Sequence, residues 1–285
     1  MKKILVTGAN GQLGSEIREL ATGYPAYEFI FTDYHELSIV DESAVNTFFD
    51  TVQPDYCINC AAYTAVDKAE DPAERQLVDD LNAHAVGYLA KASQKHGTKF
   101  IHISTDYVFD GHGSRPYLPD DATEPASVYG ITKLAGEKRA LENADVIIIR
   151  TAWVYSSFGR NFVKTMLSLM SSRPSISVVS DQYGTPTYAA DLASAILQII
   201  SSNKWVPGIY HYTNEGMINW YEFALAIKEI AGAACEVHPI PTSAYPTAAT
   251  RPVYSVLDKS KIRNVYAIDI PEWKESLKAC MKRLS

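Results

Sequence analysis

The chain has 285 residues, of which 47% are hydrophobic and 21% are charged, and 26 lysine and arginine residues against 33 aspartate and glutamate residues give a net charge of −7. This composition is typical of a folded globular protein and excludes a disordered chain or a small domain held by disulfides. The acidic balance argues against a nucleic-acid-binding protein, which needs a basic face.

The amino-terminal segment and the cysteines predict where the protein works. The apolar run Ile4–Val6 is too short for a signal peptide or a membrane span. Four cysteines without a secretory signal are typical of the reducing cytoplasm, so we expect a cytoplasmic protein that does not bind a membrane. Cys57 and Cys60 have C-x-x-C spacing, but they lie in an apolar run that predicts a buried strand. The histidines are scattered without ligand spacing, and no metal site is predicted.

Short apolar segments alternate with segments of helical period through the first 150 residues. The predicted strands are 2–8, 27–33, 55–62, 99–105 and 145–151. Between the first two, Leu13, Ile17 and Leu20 are spaced i, i+4, i+7, which predicts a helix that covers the sheet. Strands that alternate with helices form βαβ units. The pattern therefore predicts an α/β protein with a Rossmann-type, doubly wound parallel sheet.

The second half of the chain has a looser pattern of helices and strands. Its connections are rich in proline and aromatic residues, as in 238–254, and no linker separates it from the first half. We expect a dinucleotide-binding domain at 1–150 and a smaller α/β substrate-binding region at 151–285, which can return a later strand or helix to the first domain. The two parts are expected to pack along a cleft.

A glycine-rich loop follows the first predicted strand and leads into a helix. Gly8, Gly11 and Gly14 permit a tight turn, and a pyrophosphate can then approach the amide groups at the start of the helix. The alternative, an ordinary glycine turn, does not explain this strand–turn–helix context. Asp33 ends the second predicted strand, where a carboxylate accepts hydrogen bonds from an adenosine ribose, although it is also a common turn residue.

Tyr129 and Lys133 lie four residues apart on one face of a predicted helix. An ammonium beside a phenol lowers the pKa of the phenol, so that Tyr129 can give its proton to a carbonyl oxygen at neutral pH. Thr105 ends the fourth predicted strand at the carboxyl edge of the sheet, where its hydroxyl can bond the same oxygen. A chance pair on a surface helix is the alternative.

With these motifs the chain resembles the extended short-chain dehydrogenase/reductase family, and within it the reductases of nucleotide-linked keto sugars. The resemblance covers nearly the whole chain and depends on segments 11–14, 59–70, 104–111, 128–137, 150–155, 161–162, 181–187 and 241–252. It implies reduction of the 4-keto group of a dTDP-linked 6-deoxyhexulose. It also implies NADPH as the cofactor, with NADH as a usable alternative, although the charge of Asp33 argues for NADH.

The resemblance assigns roles by position. Thr105, Tyr129 and Lys133 are the expected catalytic residues. The resemblance and the glycine loop together predict a cofactor site. Its expected residues are Gly8, Asn10, Gly11, Gln12, Leu13, Gly14, Asp33, Ser38, Ile39, Ala61, Ala62, Tyr63, Thr64, Ile103, Tyr129 and Lys133. The expected substrate contacts are Thr105, Asp106, Trp153, Asn161, Gln182 and Arg251.

Four of these substrate residues have a structural alternative. Trp153 can be a core residue, because large aromatic side chains usually bury their area. Arg251 can clamp a diphosphate or only hold the carboxyl-terminal segment in place. Asn161 and Gln182 can brace loops.

The resemblance also bears on assembly. Some members of the family dimerise through a divalent metal held by glutamates, and Glu16 lies at a matching position. Segment 189–194 has alanine where a second carboxylate is expected, so a metal-linked dimer is not expected. The protein is expected to be a monomer or a homodimer without a metal between its subunits.

Two other functions are compatible with the motifs. An epimerase or dehydratase of the same superfamily recycles a bound NAD, but dehydratases usually need an acid pair where this chain offers only Asp106. A non-catalytic regulatory subunit is the other alternative, and the intact pair of Tyr129 and Lys133 argues against it.

Overall fold

The computed structural model describes residues 1–284. The strands are β1 Lys2–Thr7, β2 Tyr27–Thr32, β3 Tyr56–Asn59, β4 Lys99–Thr105, β5 Val146–Thr151, β6 Val154–Tyr155, β7 Ser175–Val179, β8 Tyr183–Gly184, β9 Thr187–Tyr188, β10 Gly208–His211, β11 Ile218–Asn219 and β12 Glu236–Ile240. The helices are α1 Gln12–Leu20, α2 Glu42–Val52, α3 Arg75–Asp79, α4 Ala85–His96, α5 Val128–Asn143, α6 Phe162–Ser172, α7 Ala189–Ser201, α8 Trp220–Ala231, α9 Ser260–Tyr266 and α10 Trp273–Lys282.

Six strands form one parallel sheet in the order β10-β5-β4-β3-β1-β2. The chain runs outward from β1 to β2 and then crosses back to β3 on the other side of β1. The direction of winding therefore reverses between β1 and β3, and ligands of such sheets bind at the carboxyl ends of the strands beside this reversal. The predicted Rossmann-type fold is confirmed.

The sheet is buried on both faces, as its continuous apolar strands predict. In β1, Ile4 and Val6 point to one side and pack with α1 and α7, whereas Leu5 points to the other side and packs with α2 and α4. All three side chains are fully buried. This layered core holds the strand ends in fixed positions.

The second half of the chain contributes to both parts of the molecule. β10 pairs with β5 at the edge of the main sheet, and α7 packs against α1. A separate apolar cluster joins α6, α8 and α10 beside the small pair of β7 and β12. The predicted boundary near residue 150 stays a prediction, with β10 and α7 returned to the first part.

The segment 238–254, predicted as a connection, is partly a strand. β12 pairs in parallel with β7, and Pro239 lies within it. Proline is tolerated there because β12 belongs to a two-stranded sheet, where one side of each strand needs no ladder partner. In residues 1–284, no helix is both long and apolar enough to cross a membrane.

Candidate active site

The glycine loop lies at the carboxyl end of β1 and is packed too closely for side chains. Gly8 has a φ of +63°, and a methyl group on it would lie 2.6 Å from the backbone of Ala61. A methyl group on Gly14 would lie 2.5 Å from the carbonyl oxygen of Gly8. Gly11 precedes α1, and no side chain in the described part of the chain caps that helix. Its first amide groups are therefore available to a pyrophosphate, which fits a dinucleotide.

Asp33 directly follows β2 beside this loop and begins a turn, and its predicted contact to a ribose stays a prediction. Its carboxylate accepts hydrogen bonds from the N–H of Asn10 at 3.0 Å and the N–H of Tyr34 at 2.8 Å. It thereby braces the loop and begins a turn at the position where a ribose is expected. Arg18 lies at the same edge, with its guanidinium 4.9 Å from the centre of the Phe31 ring and one nitrogen 3.4 Å from the Asn10 side chain.

The loop after β3 is the next predicted part of the cofactor site. Ala61 touches Gly8, and Tyr63 is held through its main chain by Asn82. Asn82 accepts from the N–H of Tyr63 at 2.9 Å and donates to its carbonyl oxygen at 3.1 Å. Asn82 lies in a π-helical turn between α3 and α4, a feature often found at functional sites. Ala61 therefore stands next to the glycine loop, and the cofactor contacts of residues 61–64 stay a prediction.

Some predicted cofactor residues contribute only part of themselves to the site. The side chains of Leu13 and Ile39 are buried in the cores on either side of the sheet, so only their main chains can face a ligand. Ser38 is half-buried before Ile39. Gln12 accepts a hydrogen bond from Asn161 at 2.9 Å.

Thr105 and Tyr129 meet at the carboxyl end of β4. Ser127 caps α5 by accepting from the N–H of Gly130 at 3.2 Å, and Gly130 packs against the carbonyl oxygen of Tyr107. A side chain on Gly130 would collide with that oxygen, so the close approach depends on glycine. Burial raises the pKa of Tyr129, and its interaction with the Thr105 hydroxyl lowers it.

The prediction that Lys133 lowers the pKa of Tyr129 is wrong for this arrangement. The main groups that act on the pKa of Tyr129 are its burial, Thr105, Asp106 and Tyr107. Lys133 instead donates to the carbonyl oxygen of Ile103 at 2.7 Å, and its ammonium is directed under β4. Burial lowers the pKa of Lys133 to about 8, against the opposing effects of Glu137 and Cys60.

Asp106 offers a carboxylate oxygen to a ligand. One of its oxygens accepts from the Thr105 hydroxyl at 2.9 Å, the other is buried, and the hydroxyl of Ser255 also interacts with this carboxylate. Burial raises the pKa of Asp106 to about 6. A buried carboxylate beside the hydroxyls of Thr105 and Tyr129 is compatible with the predicted contact to a sugar, which stays a prediction.

A cavity of about 630 Å³ lies in the second half of the chain, between α6, β7 and the carboxyl-terminal segment. Gln182, Trp220 and Arg251 line it. The ring of Trp153 stacks on Trp220 with a centroid distance of 3.6 Å. Trp153 also has a φ of +49°, a left-handed conformation that is unusual for a bulky residue and is often found at functional sites. Its half-buried ring supports the substrate role over a pure core role.

The other predicted substrate residues are partly or fully engaged. Arg251 pairs with Asp67 at 2.5 Å and donates to the Tyr107 hydroxyl at 3.1 Å while facing the cavity. Gln182 donates to Thr242 at 3.0 Å. Asn161 caps α6 and donates to Gln12, so the geometry supports its bracing role.

Sequence reasoning missed four residues of this region. Asp67 and Tyr107 hold Arg251, Trp220 stacks on Trp153, and His102 contacts Lys133. Tyr107 and Asp67 lie in segments 104–111 and 59–70, which carry the family resemblance, and that is their sequence signal. The others come from segments whose contacts depend on the tertiary fold.

Glu16, considered above as a metal ligand, is fully buried and already bound. It accepts from Ser156 at 2.6 Å and from Arg283 at 2.6 Å. Arg283 supplies the positive charge that a metal would otherwise supply. No cluster of histidine, cysteine and acidic residues that fits a metal ion is found within residues 1–284.

Comparison with known proteins agrees with this geometry. The family model for the RmlD substrate binding domain matches residues 1–285. The dTDP-4-dehydrorhamnose reductase of Aggregatibacter actinomycetemcomitans is 40% identical over 289 residues, which cover 98% of each chain. The solved structure of a dTDP-4-dehydrorhamnose reductase from Clostridium acetobutylicum is 43% identical, covers 99% of each chain and superposes with a TM-score of 0.94.

A second solved structure carries a cofactor. It is the dTDP-4-dehydrorhamnose reductase of Bacillus anthracis in complex with NADP, which is 39% identical, covers 99% of each chain and superposes with a TM-score of 0.94. The matched regions cover both halves of the chain. The chain therefore belongs to the family of the dTDP-4-dehydrorhamnose reductases, which the RmlD substrate binding domain model describes.

Proposed function

We propose that this protein is an NADPH-dependent reductase that converts dTDP-4-dehydrorhamnose, a dTDP-4-dehydro-6-deoxy-L-mannose, to dTDP-L-rhamnose. The observation that carries the proposal is the meeting of the Thr105 and Tyr129 hydroxyls at the sheet edge that also bears the glycine loop. Relatives that are about 40% identical over the whole chain carry the name of this activity, and one binds NADP.

The residues of this chain provide a proton donor and an oxygen-binding group. Tyr129 gives its hydroxyl proton to the 4-keto oxygen as the carbon is reduced. Thr105 donates to Asp106 here, and because a hydroxyl hydrogen rotates freely, it can donate to the keto oxygen instead. The burial that raises the pKa of Tyr129 keeps its proton in place until the negative charge forms on that oxygen.

The glycine loop and the loop at 61–64 would hold the cofactor. When bound, NADPH supplies the hydride that is added to the sugar. The uncapped first turn of α1 would receive the pyrophosphate, and Lys133, which the family resemblance places in the cofactor site, stands at the end of β4 with its ammonium on the carbonyl oxygen of Ile103.

The cavity in the second half would hold the nucleotide part of the substrate. Arg251 faces it with a guanidinium, whose planar shape suits a diphosphate. Its bonds to Asp67 and Tyr107 hold the guanidinium in a fixed orientation and tie this cavity to the catalytic loops. Trp153 and Trp220 supply an aromatic surface between the cavity and the catalytic residues.

The alternatives differ in how they use the cofactor. An epimerase or dehydratase leaves no net oxidation of NADPH, and a regulatory subunit has no turnover. Cytoplasmic location and a monomer or homodimer are part of the proposal, supported by the cysteine content and by the engagement of Glu16 with Arg283.

The test is an assay of the purified protein with NADPH and dTDP-4-dehydrorhamnose, followed at the nicotinamide absorbance. We expect stoichiometric oxidation of NADPH and formation of dTDP-L-rhamnose. A sugar product formed without NADPH oxidation would replace the proposal with an epimerase or dehydratase, and the absence of any turnover would favour a regulatory role.

A further inference from the structure

A buried line of polar side chains connects Lys133 to the strand that carries the glycine loop. Thr7 donates to Asn59 at 2.7 Å, Asn59 contacts Nδ1 of His102 at 3.2 Å, and Nε2 of His102 lies 3.4 Å from Nζ of Lys133. None of these four side chains is more than 2% exposed. They link the carboxyl ends of β1, β3 and β4 to helix α5.

The hydrogen bonds fix the tautomer of His102. The N–H of Ala61 donates to Oδ1 of Asn59 at 3.1 Å, and the Thr7 hydroxyl donates to the same oxygen. The other end of the Asn59 amide, its NH₂ group, therefore faces Nδ1 of His102, which must accept. A neutral imidazole carries one hydrogen, so that hydrogen is on Nε2. Burial and Lys133 both lower the pKa of His102, which keeps it neutral.

The consequence is that His102 presents an N–H to Lys133. An ammonium has three N–H groups and no acceptor, so it cannot accept a hydrogen bond from Nε2. We propose that His102 is a positioning residue that directs the ammonium hydrogens of Lys133 away from its own imidazole, toward the carbonyl oxygen of Ile103, and favours the release of one proton from that ammonium. This inference rests on the proposed function, in which the ammonium of Lys133 belongs to the cofactor site.

Other ionisable groups also act on Lys133. Glu137 lies one turn later on α5, and Cys60 follows β3; both raise the pKa of Lys133. Glu137 is also bound to Arg150, at 2.7 and 2.9 Å, and to Ser104 at 2.5 Å, so most of its charge is compensated. Tyr129 lies one turn earlier on the same helix. His102 is the group whose N–H faces Nζ of Lys133 directly. Burial also favours the neutral form of Lys133, because it lowers the pKa of this side chain.

Two substitutions separate this role from simple packing. His102→Gln can turn an amide oxygen toward Lys133, which accepts from the ammonium. His102→Asn keeps an acceptor for Asn59 and removes the N–H that faces Lys133. The matched control is His211→Gln, because His211 is a fully buried histidine on β10 that has no hydrogen-bond partner among residues 1–284.

The first readout needs no substrate and no activity. Nitrogen-15 NMR of histidine-labelled wild-type protein at pH 7, with the His102 signal identified by its loss in the variants, is expected to show Nε2 protonated and Nδ1 unprotonated. A proton on Nδ1, or a charged imidazolium, would overturn the proposal even if the enzyme is fully active. This NMR result does not depend on reductase activity. The tautomer of His102 and the proposed function can therefore be disproved independently of each other.

The second readout is the pH dependence of kcat/KM, which reports ionisations of the free enzyme. Loss of the opposing N–H raises the pKa of Lys133. The pH at which activity falls on the alkaline side is therefore expected to be higher by about half a pH unit or more in His102→Gln, which corresponds to a change of about threefold in the proton affinity of Lys133. His102→Asn serves if the first variant does not fold. Folded variants that lose rate equally at every pH, with an unmoved alkaline limb, would show that His102 only fills space.

Discussion

At the scale of single residues, the account depends most on the hydroxyl of Tyr129. Tyr129→Phe keeps the ring that packs against Tyr107 but removes the proton donor. We expect kcat to fall by about 10² to 10⁴, the range typical of lost general acid catalysis, with an unchanged dissociation constant for NADPH. Steady-state kinetics and a cofactor titration measure the two quantities.

A matched control for this variant is Tyr155→Phe. Tyr155 is fully buried and its hydroxyl has no hydrogen-bond partner in the described residues, so this change should leave kcat near the wild-type value. If Tyr129→Phe also retains most of the wild-type rate, Tyr129 is not the acid.

Asp106 gives a prediction about stability and pH. Burial raises its pKa from 3.8 to about 6, so the folded protein binds this proton more tightly than the unfolded chain does. The charged carboxylate therefore lowers the free energy of unfolding above pH 6, and this penalty disappears as the pH falls toward 4. We expect Asp106→Asn to stabilise the fold by about 1–3 kcal/mol at pH 8 and by much less at pH 4.

Urea unfolding at the two pH values measures this difference. The exposed Asp145→Asn serves as the control and should change stability by less than about 0.5 kcal/mol at either pH. Equal effects of Asp106→Asn at pH 8 and pH 4 would show that its carboxyl does not titrate as described.

Arg18 decides the preference between the cofactors in this account. Its guanidinium lies over Phe31 and beside Asn10, at the edge where the ribose is expected, while Asp33 is engaged with two backbone N–H groups. We expect Arg18→Gln to lower kcat/KM for NADPH by about 10- to 100-fold, the loss of a hydrogen bond to a charged group, and to leave that for NADH unchanged.

Binding of 2′,5′-ADP and 5′-AMP to the protein provides a second measurement, because the two ligands differ by the phosphate alone. The exposed Arg139→Gln is the control, since it lies on α5. An equal loss for both cofactors, or for both nucleotides, would mean that Arg18 acts on the loop and not on the phosphate.

Sequence patterns could predict the residues whose chemistry is local. The glycine loop and the pair of Tyr129 and Lys133 each lie in one short segment, and helical or loop geometry brings their members together. The partners of Arg251 could not be predicted in this way, because Asp67 and Tyr107 come from loops more than a hundred residues earlier. The direction of the Lys133 ammonium was also unpredictable, since it is set by His102 and Ile103 on a neighbouring strand.

At the scale of secondary-structure elements, α1 is joined to the residue that follows α10 by an ion pair whose carboxylate is buried. Arg283 donates to Glu16, whose side chain is 1% exposed. Replacing the arginine leaves a buried carboxylate with only Ser156 as a partner. We expect Arg283→Met to lower the free energy of unfolding by about 1–3 kcal/mol, the cost of an unsatisfied buried group.

The comparison variant for this tie is Lys278→Met, which removes an exposed ion pair on the same helix α10. Its cost should stay under about 0.5 kcal/mol. Urea unfolding of both variants measures the difference, and equal losses would mean that the pair of Glu16 and Arg283 stabilises no more than a surface contact.

The elements themselves were predictable where their pattern is strong. The five strands of the first half appear within a few residues of the predicted bounds, and the helix predicted between the first two is α1. β12 was not predicted, because its proline and its short length hide the alternation that marks a strand. The π-helical turn at Asn82 has no sequence pattern of its own and is recognised only from its bonds to Tyr63.

At the scale of the whole molecule, the proposed reaction would take place between two parts of the structure, and the second half of the chain contributes to both of them. In the proposed function the first part would supply the cofactor loops and the catalytic side chains, and the second would supply the cavity. β10 and α7 return to the first part, and Arg251 reaches across to Asp67 and Tyr107. Because these crossings fix one part against the other, the nucleotide and the keto group of one substrate can be held at once.

The proposed hydride transfer from NADPH to C4 of the sugar is tested most sharply by isotope labelling of the transferred hydrogen. The protein is incubated in ordinary water with dTDP-4-dehydrorhamnose and NADPH that carries deuterium at the transferred position, and the product is examined by NMR. The account predicts dTDP-L-rhamnose with one deuterium at C4 for each NADPH oxidised. A product without deuterium at C4, or one formed while NADPH is not consumed, would contradict it.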